Sequence, residues 1–112
     1  MDCSYLIYKT SKIYYRHTRA TDKLLICLHG YDESSESFEF LAEDLPEFSI
    51  LAIDLPFHGL TEWNDGFDFS LDDVNGIIQL IKQEHFPDIH KYSFLGFSMG
   101  GRIALGMLEK KP

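Results

Sequence analysis

Three short, nearly continuous apolar runs, Leu24–Leu28, Ser49–Ile53 and residues 92–95, most constrain what this chain can become. A strand apolar at every position, rather than every second one, has both faces buried, which is the pattern of a parallel sheet. Parallel neighbours need a crossover of a dozen residues or more, and the stretches between the runs carry helical periodicity. Phe38, Leu41, Ala42 and Leu45 stand at i, i+3, i+4, i+7 spacing, predicting a helix over roughly 36–45 that Pro46 closes. A second helix begins after Ser70, with Asp73 three residues on as a capping-box partner. It lays Val74, Ile77, Ile78 and Ile81 on one stripe before Phe86 and Pro87 end it. A third follows the last run. Gly100, Gly101 and Ala104 let it close on the sheet, Lys110 and Lys111 suit its C-terminal dipole, and Pro112 stops it. Ahead of these, residues 4–9 and 12–18 are rich in Tyr and Ile and flank a polar Lys-Thr-Ser-Lys turn, which reads as a β-hairpin. A hairpin followed by alternating strands and helices specifies an α/β fold with parallel pairing.

Composition narrows the function classes. At 112 residues, 45% hydrophobic and 14% aromatic, the chain builds one core and belongs to one domain. Its net charge of −8 opposes binding to nucleic acid or anionic membrane. Lys9, Lys12, Arg16 and Arg19 form a loose basic cluster, which reads as the solvated face of the hairpin. No basic-then-apolar leader stands at the N-terminus, and the longest apolar runs are strand-sized, so the expected location is the cytoplasm. Cys3 and Cys27 are then expected to be reduced, structural thiols.

Chemistry concentrates in Gly96-Phe97-Ser98-Met99-Gly100, a G-x-S-x-G pentapeptide between the last apolar run and the third helix. A serine aimed off the tip of a strand needs a sharp turn in which a Cβ on either flank would clash, and both flanks are glycine. The pattern nominates Ser98 as a nucleophile. It also leaves the backbone N–H of Met99 at a helix N-terminus, where it and the helix dipole would stabilise an oxyanion. Two other readings of this loop fail. A phosphate-binding G-x-x-x-x-G-K-[ST] loop would need a lysine and a hydroxyl where the chain has Arg102 and Ile103, and a G-x-G-x-x-G fingerprint finds Ser98 at its middle glycine.

Two further motifs follow the earlier strands. His29-Gly30-Tyr31 ends the first buried run, and the N–H of Tyr31 is a candidate second oxyanion donor; alone, the dipeptide would be an ordinary strand-to-loop turn. With the downstream pentapeptide it places two donor backbones at the edge where α/β sheets hold ligands. Asp54-Leu55-Pro56-Phe57-His58-Gly59 ends the second run and reads as a structured tight loop. Tyr31, Phe57 and Trp63 are candidates for an aromatic pocket wall, with loop packing as the alternative.

Taken in order, these three motifs resemble the N-terminal half of the α/β-hydrolase fold. The resemblance spans nearly the whole chain and implies a single, incomplete domain over residues 1–112. It implies Ser98 as nucleophile and the N–H groups of Met99 and Tyr31 as oxyanion donors, in cofactor-free chemistry on a small ester, lactone, thioester or C–C substrate. Phe57 departs from the family pattern, which often has a second glycine there. The family's chain order is Ser, then Asp or Glu, then His. After Ser98 only Glu109 carries a carboxylate and no histidine follows, so the expectation is a chain inactive alone and completed by a C-terminal half. Ser98-Met99-Gly100-Gly101-Arg102 also resembles the elbow of menaquinone-pathway synthases that eliminate pyruvate. Arg102 would then bind a substrate carboxylate, with a solvated helix residue as the alternative. A non-catalytic remnant is the third reading.

Overall fold

A computed structural model describes residues 1–109, so the expectations for Lys110, Lys111 and Pro112 lie outside the described residues. Five strands form one sheet: β1 (Asp2–Tyr8), β2 (Ser11–Thr18), β3 (Leu24–Leu28), β4 (Ser49–Ile53) and β5 (Tyr92–Gly96), in the order β1-β2-β4-β3-β5. The hairpin β1–β2 is antiparallel and joins β4 antiparallel, whereas β3 runs parallel to both β4 and β5. The three apolar runs thus become the parallel part of the sheet. Period-two alternation sends Leu24, Ile26, Leu28, Leu51 and Ile53 to one face and Leu25, Cys27, Ile50 and Ala52 to the other, each with its own core.

The larger core lies under α2 (Leu71–His85) and α3 (Met99–Glu109). Val74, Ile77, Ile78 and Ile81 face it from α2, as their stripe predicts. The capping box is complete: Ser70 Oγ accepts from the N–H of Asp73, and the Asp73 carboxylate accepts from the N–H of Ser70. The same carboxylate takes Tyr8 Oη at 2.8 Å and so ties the helix start to the hairpin. At the other end Tyr15, buried in β2, hydrogen-bonds His85 Nε2 at 2.7 Å, with the His17 ring 4.0 Å from that of His85.

Two expectations need correction. The helix over 36–45 is broken into a 3₁₀ turn, Ser35–Phe38, and a single turn α1, Leu41–Asp44. Ser35, Phe38 and Leu41, three apart, are all buried, with Phe38 and Leu41 in the smaller core, and the spacing suits the three-residue period of the 3₁₀ turn. Second, β5 is not buried on both faces as β3 and β4 are. Ser93 is exposed and Phe94 and Leu95 are half-buried; among the described residues β5 pairs only with β3 and is an edge of the sheet.

The basic cluster is mostly absorbed into the surface. Lys9 pairs with Asp73, Arg16 with Glu39, and Arg19 with Asp22 and Asp88, while Lys12 sits over the Tyr5 ring. Both cysteines are unpaired. Burial pushes the Cys27 thiol up to about 12, leaving it protonated and inert, and Cys3 is exposed. No described helix is long and apolar enough to cross a membrane.

The capping box makes a measurable contribution. Ser70→Ala removes the acceptor for the Asp73 N–H and is expected to cost about 1 kcal/mol in urea unfolding with an unchanged slope; an unshifted midpoint would show that the cap contributes nothing.

Candidate active site

The pentapeptide sits where β5 turns into α3, and its glycines are demanded by contact. A Cβ on Gly100 would lie 2.0 Å from the Leu28 carbonyl oxygen, and one on Gly96 would lie 2.6 Å from the backbone of Gly100 and Gly101. The first helical turn therefore lies directly on the end of β3, and the Phe97 N–H donates to that same Leu28 oxygen at 3.1 Å. Ser98, at the apex, has φ +53°, a left-handed backbone that a serine occupies only under constraint. Its side chain is exposed, and its Oγ has no hydrogen-bond partner among the described residues. Met99 is the first residue of α3, so its N–H has no intrahelical acceptor and lies at the positive end of the helix dipole.

The turn after β3 meets the elbow. An added Cβ on Gly30 would stand 3.2 Å from the Phe97 carbonyl oxygen and 3.4 Å from Ser98 Cβ, so the Gly30 backbone abuts the serine. Gly30 begins a β-turn whose carbonyl accepts from the Glu33 N–H at 3.3 Å, with Asp32 at φ +60°, the type II pattern. Tyr31, at the first central position of that turn, is exposed, and its ring lies 6.0 Å from that of His58.

Two buried polar side chains hold the loops together. Asp54, 5% exposed, accepts the Ser35 N–H at 2.7 Å and the Leu60 N–H at 3.0 Å, while its own carbonyl takes Thr61 Oγ1 at 2.7 Å. Gly59 is left-handed with Asp54 2.4 Å from where its Cβ would be, so only glycine fits. Phe57 is left-handed as well, at φ +70°; the loop keeps the shape that suits glycine with a phenylalanine in it. His29, fully buried, accepts the Leu55 N–H at Nε2 (3.0 Å) and bonds the Gly30 carbonyl through Nδ1 (2.8 Å). A carbonyl only accepts and an amide N–H only donates, so His29 is the neutral Nδ1–H tautomer. Burial pushes its pKa below the usual histidine value.

The remaining histidines are committed elsewhere or lie off the elbow. His58 bonds the Pro56 carbonyl through Nδ1, His17 bonds Ser4 Oγ, His85 bonds Tyr15, and His90 is exposed. The structure thus brings Ser98 and Met99 together with the Gly30-Tyr31 turn and supplies no histidine to Ser98. Arg102, one turn beyond the serine, donates its backbone N–H to the Ser98 carbonyl; its guanidinium is exposed and makes no ion pair among the described residues. Of the proposed aromatic wall, Tyr31 and Phe57 are exposed, whereas Trp63 stacks on Tyr8 and packs against Phe69 and the larger core. Sequence reasoning assigned His29 only to its turn. Its signal was its position: a polar residue directly continuing a fully apolar strand is buried with it and must find partners.

Comparison with known proteins agrees with this architecture. The family model for the alpha/beta hydrolase fold matches residues 23–112. A 2-succinyl-6-hydroxy-2,4-cyclohexadiene-1-carboxylate synthase of Citrobacter koseri is 34% identical over 82 residues, 72% of this chain and 31% of that protein. A serine hydrolase-like protein of Danio rerio is 35% identical over 86 residues, 71% of this chain and 24% of that protein. Among solved structures, the Cif epoxide hydrolase from Acinetobacter nosocomialis superposes with a TM-score of 0.80 at 15% identity, over 99% of this chain and 34% of that one, a likeness of fold. The chain spans about a third or less of the length of these curated relatives.

The left-handed serine yields a stability test. Glycine relieves the strain that alanine retains, so Ser98→Gly is expected to exceed Ser98→Ala in unfolding free energy by about 1 kcal/mol. Equal stabilities in parallel denaturation would mean that the apex is unstrained.

Proposed function

The chain belongs to the α/β-hydrolase fold family, and from that premise we propose that it carries the nucleophile half of a cofactor-free serine hydrolase acting on a small ester, lactone, thioester or C–C substrate. The observation that carries this reading is Ser98 itself: left-handed, flanked by two glycines that admit no Cβ, and abutted by the Gly30 backbone at the carboxyl end of the parallel strands. In the proposed reaction Ser98 Oγ attacks the substrate carbonyl and gives up its proton to a base. The oxyanion of the tetrahedral intermediate accepts hydrogen bonds from the N–H groups of Met99 and Tyr31, and collapse expels the leaving group with that proton. Water then releases the acyl group from Ser98 by the reverse steps.

The base is the missing part. Ser98 Oγ is unpartnered among the described residues, and both His29 nitrogens are engaged. We propose that polypeptide corresponding to the uncovered length of the relatives supplies the histidine and its carboxylate. The two unpaired thiols suit a reducing cytoplasm.

One observation favours a second reading, a lyase that eliminates pyruvate. The Citrobacter koseri relative is a synthase that shares this part of the fold at 34% identity, and the unpaired guanidinium of Arg102 stands one turn from Ser98, available to a substrate carboxylate.

Assays on the chain alone, and on the chain supplemented with the C-terminal portion of a relative, test both readings. The chain alone is expected to give no Ser98-dependent hydrolysis of an activated ester; turnover abolished by Ser98→Ala would overturn the need for an external base. In the supplemented protein, ester hydrolysis lost in Ser98→Ala supports the hydrolase. Pyruvate release that falls sharply in Arg102→Ala would replace it with the lyase.

A further inference from the structure

The peptide unit that joins Gly30 to Tyr31 contains both the Gly30 carbonyl and the Tyr31 N–H, and in a planar trans peptide these two groups point in opposite directions. Whatever fixes the carbonyl therefore aims the N–H. Two donors fix it, the Glu33 N–H at 3.3 Å and the His29 Nδ1–H at 2.8 Å. The first is long and belongs to an exposed turn. The second is short, fully buried, and attached to a ring whose other nitrogen is anchored by the Leu55 N–H at the start of the next loop.

From this geometry we infer that His29 is a positioning residue for the oxyanion donor at Tyr31, acting through the Gly30 carbonyl and coupling that donor to the loop after β4. The inference rests on the proposed use of the Tyr31 N–H; the coupling itself does not depend on that use. His29 touches no reacting atom. Its part is to present a proton to one carbonyl while receiving one from Leu55, and only the neutral Nδ1–H tautomer does both.

Protonation breaks the arrangement at one end. Nε2–H would face the Leu55 N–H donor to donor, and a charge would stand in a buried site. Facing the ring are His58, from the loop after β4, which disfavours that charge, and Asp54 and Glu33, which favour it; burial outweighs them. The sign follows. A base whose folded pKa is depressed below about 6.5 holds the Tyr31 peptide fully above that pH. As pH falls through the lower folded value the Leu55 anchor is lost while the Nδ1–H bond to Gly30 stays, so the ring keeps its donor but no longer its fixed orientation.

Nitrogen-15 NMR on the chain tests this directly. Long-range ring spectra are expected to show His29 as the Nδ1–H tautomer above pH 7, and the Tyr31 amide to be rigid, with an order parameter of about 0.85 although its side chain is exposed. On acidification the Leu55 and Tyr31 amides should shift with the His29 midpoint, and the Tyr31 order parameter should fall. His29→Asn, whose amide places a donor near Nδ1, should keep the Tyr31 amide rigid; His29→Gln, which reaches only toward Leu55, should drop it below about 0.6. An Nε2–H tautomer, or a Tyr31 amide indifferent to the His29 titration, overturns the inference, and both readouts come from the unsubstituted chain if a variant fails to fold. Fluorophosphonate labelling of Ser98 in the supplemented protein separates the two levels. Labelling with a Tyr31 amide insensitive to His29 sinks the positioning role alone. Absent labelling with the NMR coupling intact sinks the nucleophile reading, and with it the oxyanion role, and leaves only the coupling of His29 to the Tyr31 peptide standing.

Discussion

The contact between Gly100 and the Leu28 carbonyl carries the rest of this site. With 2.0 Å between that oxygen and the place of a missing Cβ, helix α3 is seated on the end of β3 as closely as a backbone permits. Such seating aims the first turn of α3 at the sheet edge, sets the elbow beside Gly30, and leaves the Phe97 N–H within reach of the same oxygen. A helix displaced by even a methyl group would separate the serine from the His29-Gly30-Tyr31 turn. The pentapeptide is thus less a motif for holding a serine than a device for joining two strand ends.

Strain concentrates at that edge. Among the described residues, four other than glycine have left-handed φ: Lys9 in the hairpin turn, and Asp32, Phe57 and Ser98. The last three each lie in the first loop after β3, β4 and β5 respectively. Left-handed backbone costs roughly 1–2 kcal/mol per non-glycine residue, and the rigid parallel strands beneath absorb it. Phe57 is instructive. The sequence shows only that a glycine usual in the family is absent, whereas the structure shows that the conformation requiring it remains, supported by Asp54 and its bonds to Ser35 and Leu60.

Legibility tracked locality. The three apolar runs, the stripe of α2 and the Ser70–Asp73 box depend on residues near one another in sequence, and each appears where the pattern places it. The spelling of the elbow announced a turn that is in fact left-handed at Ser98. What was not legible depends on distant partners. The break at Glu39 and Phe40 lies between Phe38 and Leu41, whose burial is shared with Leu25, Ile50 and other residues distant in sequence. The open edge at β5 accords with the family resemblance, in which this strand has further neighbours, whereas the exposure of its faces is not spelled in the apolar run itself. His29 looked like a turn residue because its acceptor role runs to Leu55, 26 positions away.

This locality also explains, in the proposed reading, why the setting of Ser98 can be built so completely without the group that would activate it. The positions of Ser98 and of the Met99 and Tyr31 N–H groups, to which the proposed reading gives the chemistry, are set by backbone geometry, and backbone geometry here is fixed by glycine contacts, one carbonyl held by His29 and one carboxylate at Asp54. A base, by contrast, acts through a side chain that must reach Ser98 Oγ from another loop, and the buried histidine nearest that turn is already engaged at both nitrogens. His29 cannot serve as scaffold and base together: taking a proton would put Nε2–H against the Leu55 N–H and loosen the donor it aims. In the proposed reading, the engagement of both His29 nitrogens therefore keeps this histidine from acting as the base.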